Sequence, residues 1–351
     1  MSFEELVKQG LEVGSQLGPT SGVAALVSAL LMLAFGWPWR APQPIRSRVG
    51  GVVSVGLGFA VGCWWLDIRP NWPPQEDQDR LLFILLPAVV VVEMLAALIE
   101  SRLAHLQPEI PSSKSGDRAS SVGFRVSGLG WLLRFLVAAA ATPILLYGTT
   151  YVSGDAGPGT RQWTPQQTWM IFAGLAASLL AVWLLLAWLI QQPTGRAALL
   201  AVAVACGGTA VIMMMSGYAS GGPLAMPLAG GVVGALAASL ALRSADCVAN
   251  TLGLAVVGLF ALLIMGHFFS ELTWTNAALL FFAPVLAAFP ELPPFRRINP
   301  RLRAGVGIVL TTVPVLIAMA LAMQKMAEQS PRPSSGDTQE PTLDDYMNFG
   351  K

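Results

Sequence analysis

The feature that most constrains this chain is its alternation of long apolar blocks with loops that are by turns rich and poor in Lys and Arg. Ten blocks stand out: residues 19–36, 49–66, 81–99, 126–149, 168–190, 196–218, 223–242, 249–269, 274–289 and 304–324. Most approach the length of about 20 residues that crosses the hydrocarbon core of a bilayer as a helix. Only 12% of the residues are charged and 54% are hydrophobic, where a soluble domain carries about 25% charged. The expected architecture is an all-α, polytopic integral membrane helix bundle of about ten transmembrane helices. Lipid offers no hydrogen-bond partner, so each span must satisfy its own amides. Period-two alternation, the mark of a membrane β-barrel, is absent.

The basic residues orient the bundle. One set of loops holds Arg40, Arg46, Arg48, Arg102, Lys114, Arg118, Arg125, Arg196, Arg243, Arg296, Arg297, Arg301 and Arg303. The opposite set, termini included, holds Lys8, Arg69, Arg80, Arg161, Lys325, Arg332 and Lys351. Thirteen against seven places the first set in the cytoplasm, hence both termini outside, in a bacterial cytoplasmic membrane. The 274–289 block is short and carries Pro284, so it is the weakest span. Were it not to cross, the four-arginine loop after it would fall on the outer side, against the charge bias. Trp37 and Trp39 inside, and Trp64, Trp65, Trp72, Trp163 and Trp274 outside, fit an aromatic belt.

Three segments stand apart. Residues 1–17 carry Glu4 and Glu5 in place of a basic start, which argues against a cleaved signal; Phe3, Leu6, Val7, Leu11 and Val13 suit an amphipathic interfacial helix. Residues 101–125, with the run PSSKSGDRASS, read as a flexible cytoplasmic loop. Residues 327–351 read as a disordered outer tail. Its end, Leu343 to Phe349, mixes acidic and apolar residues and suits a docking peptide for a membrane-protein partner. The bundle itself spans 18–326.

Small residues recur at four-residue spacing: Gly50, Ser54, Gly58 and Gly62 in the second block, and Gly230, Gly234 and Ala238 in the seventh. Such stripes allow close helix approach, within the chain or against a partner. The tetrapeptide GGVV at 50–53 and 230–233 would match an inverted five-plus-five repeat of the kind some transporters use, although four apolar residues in this composition are near chance.

Ionisable groups inside spans are the default functional candidates. Glu93 and Arg134 lie well within the third and fourth blocks. Counting from Glu100 and Arg125 at 1.5 Å per residue places them roughly 10 and 13 Å from the same side. Consecutive antiparallel helices are usually neighbours, so the two should pair. His267 and Glu271 stand four apart and can share an outer-face polar contact. Arg296, Arg297, Arg301 and Arg303 can meet anionic lipid headgroups. Asp67, Glu76, Asp77 and Asp79 form an acidic, solvated outer loop without EF-hand spacing.

The exclusions are as useful. A net charge of +1 leaves no nucleic-acid footprint. Three scattered cysteines, Cys63, Cys206 and Cys247, define neither a disulfide framework nor a zinc site. No phosphate-binding loop, nucleophile elbow or zinc-protease motif occurs, so no catalytic residue, metal or cofactor is expected. Two readings of function remain. One is a transporter-like protein for a small or lipid-like solute, with a cavity beside Glu93 and Arg134 or along the helices near Gly207, Gly208 and Gly221. The other is a non-catalytic scaffold or accessory subunit of a membrane complex.

Overall fold

A computed structural model describes the chain apart from residues 1–2, 37–43, 75, 107–127, 150, 153–162, 193, 219–220, 243–249, 296–297 and 330–351. The greater part of the loop expected at 101–125 and of the tail expected at 327–351, with Trp37 and Trp39, therefore lies outside the described residues. Everything regular among them is helical. The helices are α1 (Phe3–Gly36), α2 (Pro44–Trp65), α3 (Asp77–Arg80), α4 (Leu86–Leu106), α5 (Gly128–Leu146), α6 (Pro165–Ile190), α7 (Arg196–Met215), α8 (Gly221–Leu242), α9 (Thr251–Phe269), α10 (Trp274–Phe282) and α11 (Pro300–Gln329). A π-helical turn, Leu81–Leu85, joins α3 to α4, and a 3-10 helix, Ala283–Glu291, continues α10. The first helix is unbroken from Phe3, so the segment expected to lie in the interface is the leading half of the same helix that forms the first span.

Nine of these helical stretches among the described residues are long and apolar enough to cross a membrane. The tenth traverse is composite. α10 and the 3-10 helix have nine residues each, which at about 1.5 and 2.0 Å per residue give roughly 31 Å, close to a hydrocarbon core. Contacts at its two ends set it alongside α7. Before its start, Glu271 donates its backbone N–H to Ser216 O at the end of α7 (3.4 Å). At its finish, Glu291 meets Thr194 at the base of α7. The block expected to be the weakest span thus runs the full length of α7. The common outer face expected for the two termini depends on this tenth crossing.

Local sequence explains the ends. Thr164 caps α6, its hydroxyl accepting from Gln167 N (3.3 Å) while Gln167 Oε1 accepts from Thr164 N (3.0 Å), with Pro165 in the first turn. Thr273 caps α10 through Asn276 N (3.2 Å). α7 ends at Gly217, whose φ of 80° is a left-handed conformation natural to glycine.

α9 is the hub. It is apolar all round, and 83% of its spanning window is buried, against 22% for α1 and 28% for α6. α2, α4, α5, α6, α7, α8 and α10 pack on it. An inverted repeat would make α4 the counterpart of α9, yet only 33% of the α4 window is buried; that asymmetry does not favour the repeat. Outward leucines such as Leu26, Leu30, Leu132 and Leu136 are exposed, as lipid-facing residues must be.

The glycine stripes are spent within the chain. A Cβ at Gly230 or Gly234 would overlap the carbonyl oxygens of Ser21 and Ala25 on α1, and one at Gly58 would lie 2.8 Å from Ala24 O. Ser28 Oγ, on the same face of α1, donates to Gly231 O (2.9 Å). α1, α2 and α8 thus meet backbone to backbone, and these residues face α1 rather than a partner.

Candidate functional site

Glu93 and Arg134 meet in a bidentate pair. Arg134 Nε donates to Glu93 Oε1 and Nη2 to Oε2, both at 2.9 Å. Glu93 is fully buried and Arg134 7% exposed. The third guanidinium nitrogen, Nη1, lies 3.5 Å from Glu100 Oε1, and Arg48 Nη1 lies 3.1 Å from Glu100 Oε2. Glu100 is two helical turns beyond Glu93, so one face of α4 presents both carboxylates to the single guanidinium from α5. Trp131, one turn before Arg134, places its ring 5.0 Å from the guanidinium carbon, a cation–π contact.

α9 closes the site. Asn250 Nδ2 donates to the Glu93 backbone oxygen (3.2 Å). Gly253 faces the Glu93 carboxylate: a Cβ there would overlap Glu93 Oε1 and lie 2.6 Å from Trp183 Cζ2. The glycine is required by close approach. The network joins α2, α4, α5 and the start of α9, and its four charges cancel. A buried pair with all its donors matched avoids the penalty that either charge would incur alone.

A second buried pair lies at the same end. Arg303 Nη1 donates to Glu291 Oε2 (2.7 Å), and the Thr194 hydroxyl donates to Glu291 Oε1. Glu291 is 1% and Arg303 7% exposed. Arg303, expected among the arginines that meet lipid headgroups, faces inward onto Glu291. Arg303 Nε is buried without a hydrogen-bond partner. Arg301 is exposed, and Arg296 and Arg297 lie outside the described residues. Sequence reasoning missed Glu291, Thr194, Glu100, Arg48 and Asn250 as partners; Glu291, Thr194 and Asn250 sit at helix ends, and Arg48 and Glu100 lie within two turns of one. The available signal was spacing: Glu100 is seven residues from Glu93, and Glu291 and Arg303 flank one turn between consecutive spans.

At the opposite end His267 and Glu271 each have a partner of their own. His267 Nδ1 is 2.7 Å from Leu272 O, and its ring lies 4.0 Å from that of Trp274. Lys325 Nζ reaches Glu271 Oε2 (3.1 Å) and donates to Glu271 O (2.8 Å). In the acidic loop Asp67 and Glu76 are exposed, whereas Asp79 is buried. Asp79 is 2% exposed and accepts backbone N–H groups from Asn71 (3.0 Å) and Glu76 (3.4 Å). The Tyr218 hydroxyl donates to Asp77, tying the loop to the turn between α7 and α8.

An open apolar depression of about 430 Å³ on α6 is lined by Ala181, Leu184, Leu185 and Trp188. The positions expected to border a polar cavity, Ala96, Ala138 and Thr209, are fully buried. Among the described residues no group of three or more His, Cys, Asp or Glu side chains is placed to hold a metal ion.

Nine helices long and apolar enough to cross a membrane among the described residues, packed around a buried, mostly apolar hub, define a multi-pass α-helical membrane protein. No protein-family model matches the sequence, and no characterised protein matches it.

Proposed function

We propose that this is a transporter-like membrane protein that moves a small, apolar or lipid-like solute across a bacterial cytoplasmic membrane, with both termini outside. The observation that carries the reading is the composite tenth traverse. Broken or irregular spans buried against other helices are where several transporter folds bind and gate, and irregular backbone at membrane depth is tolerated only inside protein or along a cavity. Here the 3-10 half packs against α6, α7 and α11. Gly208 of α7 abuts Val315 and Leu280 across this seam, and a Cβ at Gly307 of α11 would lie 3.3 Å from Ala287 O. The four-charge network on the other side of the hub serves as the fixed half against which such a seam works.

The rival reading is a non-catalytic scaffold or accessory subunit, reached through the Leu343–Phe349 segment. The full burial of Ala96, Ala138 and Thr209 favours it, since a scaffold needs no solvated path. Cysteines introduced singly at those three positions separate the two. The transport reading expects Thr209→Cys to react with a small aqueous maleimide in membranes. Uniform protection, with a stoichiometric partner co-purifying in mild detergent, overturns it. The orientation has its own test in intact cells. Ser335→Cys should label from outside and Asn299→Cys should not; the reverse pattern inverts the topology.

A further inference from the structure

We infer that the 3-10 helix Ala283–Glu291 is a length switch, held in its long form by the bonds of Glu291 to Thr194 and Arg303. This goes beyond the transport reading and rests on it only for what the movement serves.

The first argument is geometric. Runs of 3-10 helix longer than three or four residues are uncommon, and a stretch within a longer helix often marks a hinge. This one has nine residues and continues directly from α10. Rewound as α-helix, nine residues would shorten from about 18 to about 13.5 Å. The winding would also fall from about 120° to about 100° per residue, turning the far end by roughly 180°. Either change alone removes the Glu291 carboxylate from its partners. The latch therefore requires the 3-10 winding, which Pro284 and Pro290 also favour over α winding.

The second argument concerns anchoring. The outer end of the traverse is fixed by rings and a cap. Trp274 packs on His267 and Phe268 at 4.0 and 5.8 Å between ring centres, and Thr273 caps the helix. The inner end is fixed by polar bonds at Glu291 and by the Phe289–Phe295 ring contact at 5.2 Å. Phe289 is half exposed and Leu292, Pro293 and Pro294 are exposed, so the residues that follow the 3-10 helix are not held in the core. The inner end is the end that moves.

The third argument is the incomplete satisfaction of the latch. Arg303 Nε is buried and has no partner, whereas all three Arg134 nitrogens face carboxylates. Arg48 Nε, at the edge of the four-charge network, is unmet as well, so the contrast lies in the guanidinium at the centre of each node. Retraction would withdraw Ala287 from Gly307 and part the seam between α7 and α11 at the face where Thr194 lies.

The test is a distance measured by pulsed electron paramagnetic resonance. Spin labels go at Thr275 and Leu292, both exposed, with the three native cysteines replaced by Ala. The otherwise native protein should give one long distance. The charge-balanced variant Glu291→Gln/Arg303→Gln should add a population shorter by about 4–5 Å, and adding Pro284→Ala should enlarge it. Thr194→Val, which removes no charge, should shift the same equilibrium less and guards against a double variant that fails to fold. An unchanged distance in Thr194→Val and in the folded double variant overturns the switch. A shorter distance with Thr209→Cys still protected keeps the switch and removes the transport reading.

Discussion

Two acid–arginine pairs are buried near one end of this bundle, and they are built differently. Glu93 and Arg134 sit inside regular helices, on adjacent faces of α4 and α5, and the guanidinium is matched nitrogen by nitrogen. Glu291 and Arg303 sit at the ends of their elements, joined through one nitrogen at 2.7 Å, with Nε unmet. One glutamate is locked by a facing glycine and an asparagine from the hub; the other is held by a hydroxyl from a loop. The comparison teaches that burial alone does not make an ion pair a fixture. What matters is whether the backbone carrying it can move without losing its own hydrogen bonds.

The largest expected effect is at the first pair. Arg134→Gln leaves Glu93 buried without its counter-charge, which should cost about 3–5 kcal/mol; Glu93→Gln should fall at the lower end of that range, because Arg134 still faces Glu100. The double variant should cost less than the sum of the two, because the cycle isolates their coupling. Unfolding in mild detergent, followed by the loss of helical signal, measures all three. Strict additivity would mean that the pair does not act as a unit and would erase the contrast with Glu291.

An intermediate effect is expected at the second pair. Glu291→Gln should cost about 3 kcal/mol, the lower end for a buried pair that loses one partner, because Arg303 loses its counter-charge while the Gln amide can still bond Thr194 and accept from Arg303 Nη1. If Glu291→Gln destabilises as much as Arg134→Gln, the second node is as rigid as the first and the length switch loses its motive.

How much of this could be read in the sequence follows from where each residue lies. The helical class and the multi-pass pattern were legible because twenty apolar residues in lipid have one regular solution. Glu93 and Arg134 were legible because a charge within an apolar block is conspicuous. Glu291 and Arg303 were not. They lie among prolines and arginines that look like any cytoplasmic loop, and only the fold of the turn brings twelve residues of separation down to 2.7 Å. The 3-10 winding was equally hidden, since 3.0 and 3.6 residues per turn are not distinguished by nine mostly apolar residues. The glycine stripes were visible, but their partner was not: that α1 receives both α2 and α8 depends on packing between elements far apart in sequence. Asp79 misled because an acidic residue among prolines suggests solvation, while its carboxylate instead accepts two backbone N–H groups that the loop would otherwise leave unmet.

The smallest expected effect calibrates the other two. Glu271 and Lys325 form an ion pair at the opposite end, with side chains 61% and 38% exposed. Such pairs contribute about 0–1 kcal/mol because solvent screens them. Lys325 also donates to the Glu271 backbone oxygen, a bond that survives truncation of the glutamate. Glu271→Ala should therefore change stability by less than about 1 kcal/mol, and added salt should narrow the difference further. The same unfolding measurement checks it. A cost comparable to that of Glu291→Gln would mean that the pair lies in a low-dielectric layer rather than at the water boundary. The hydrocarbon region would then reach past the ends of α9 and α11. The composite traverse would fall short of spanning it, and the count of ten crossings, on which the common face of the two termini depends, would have to be withdrawn.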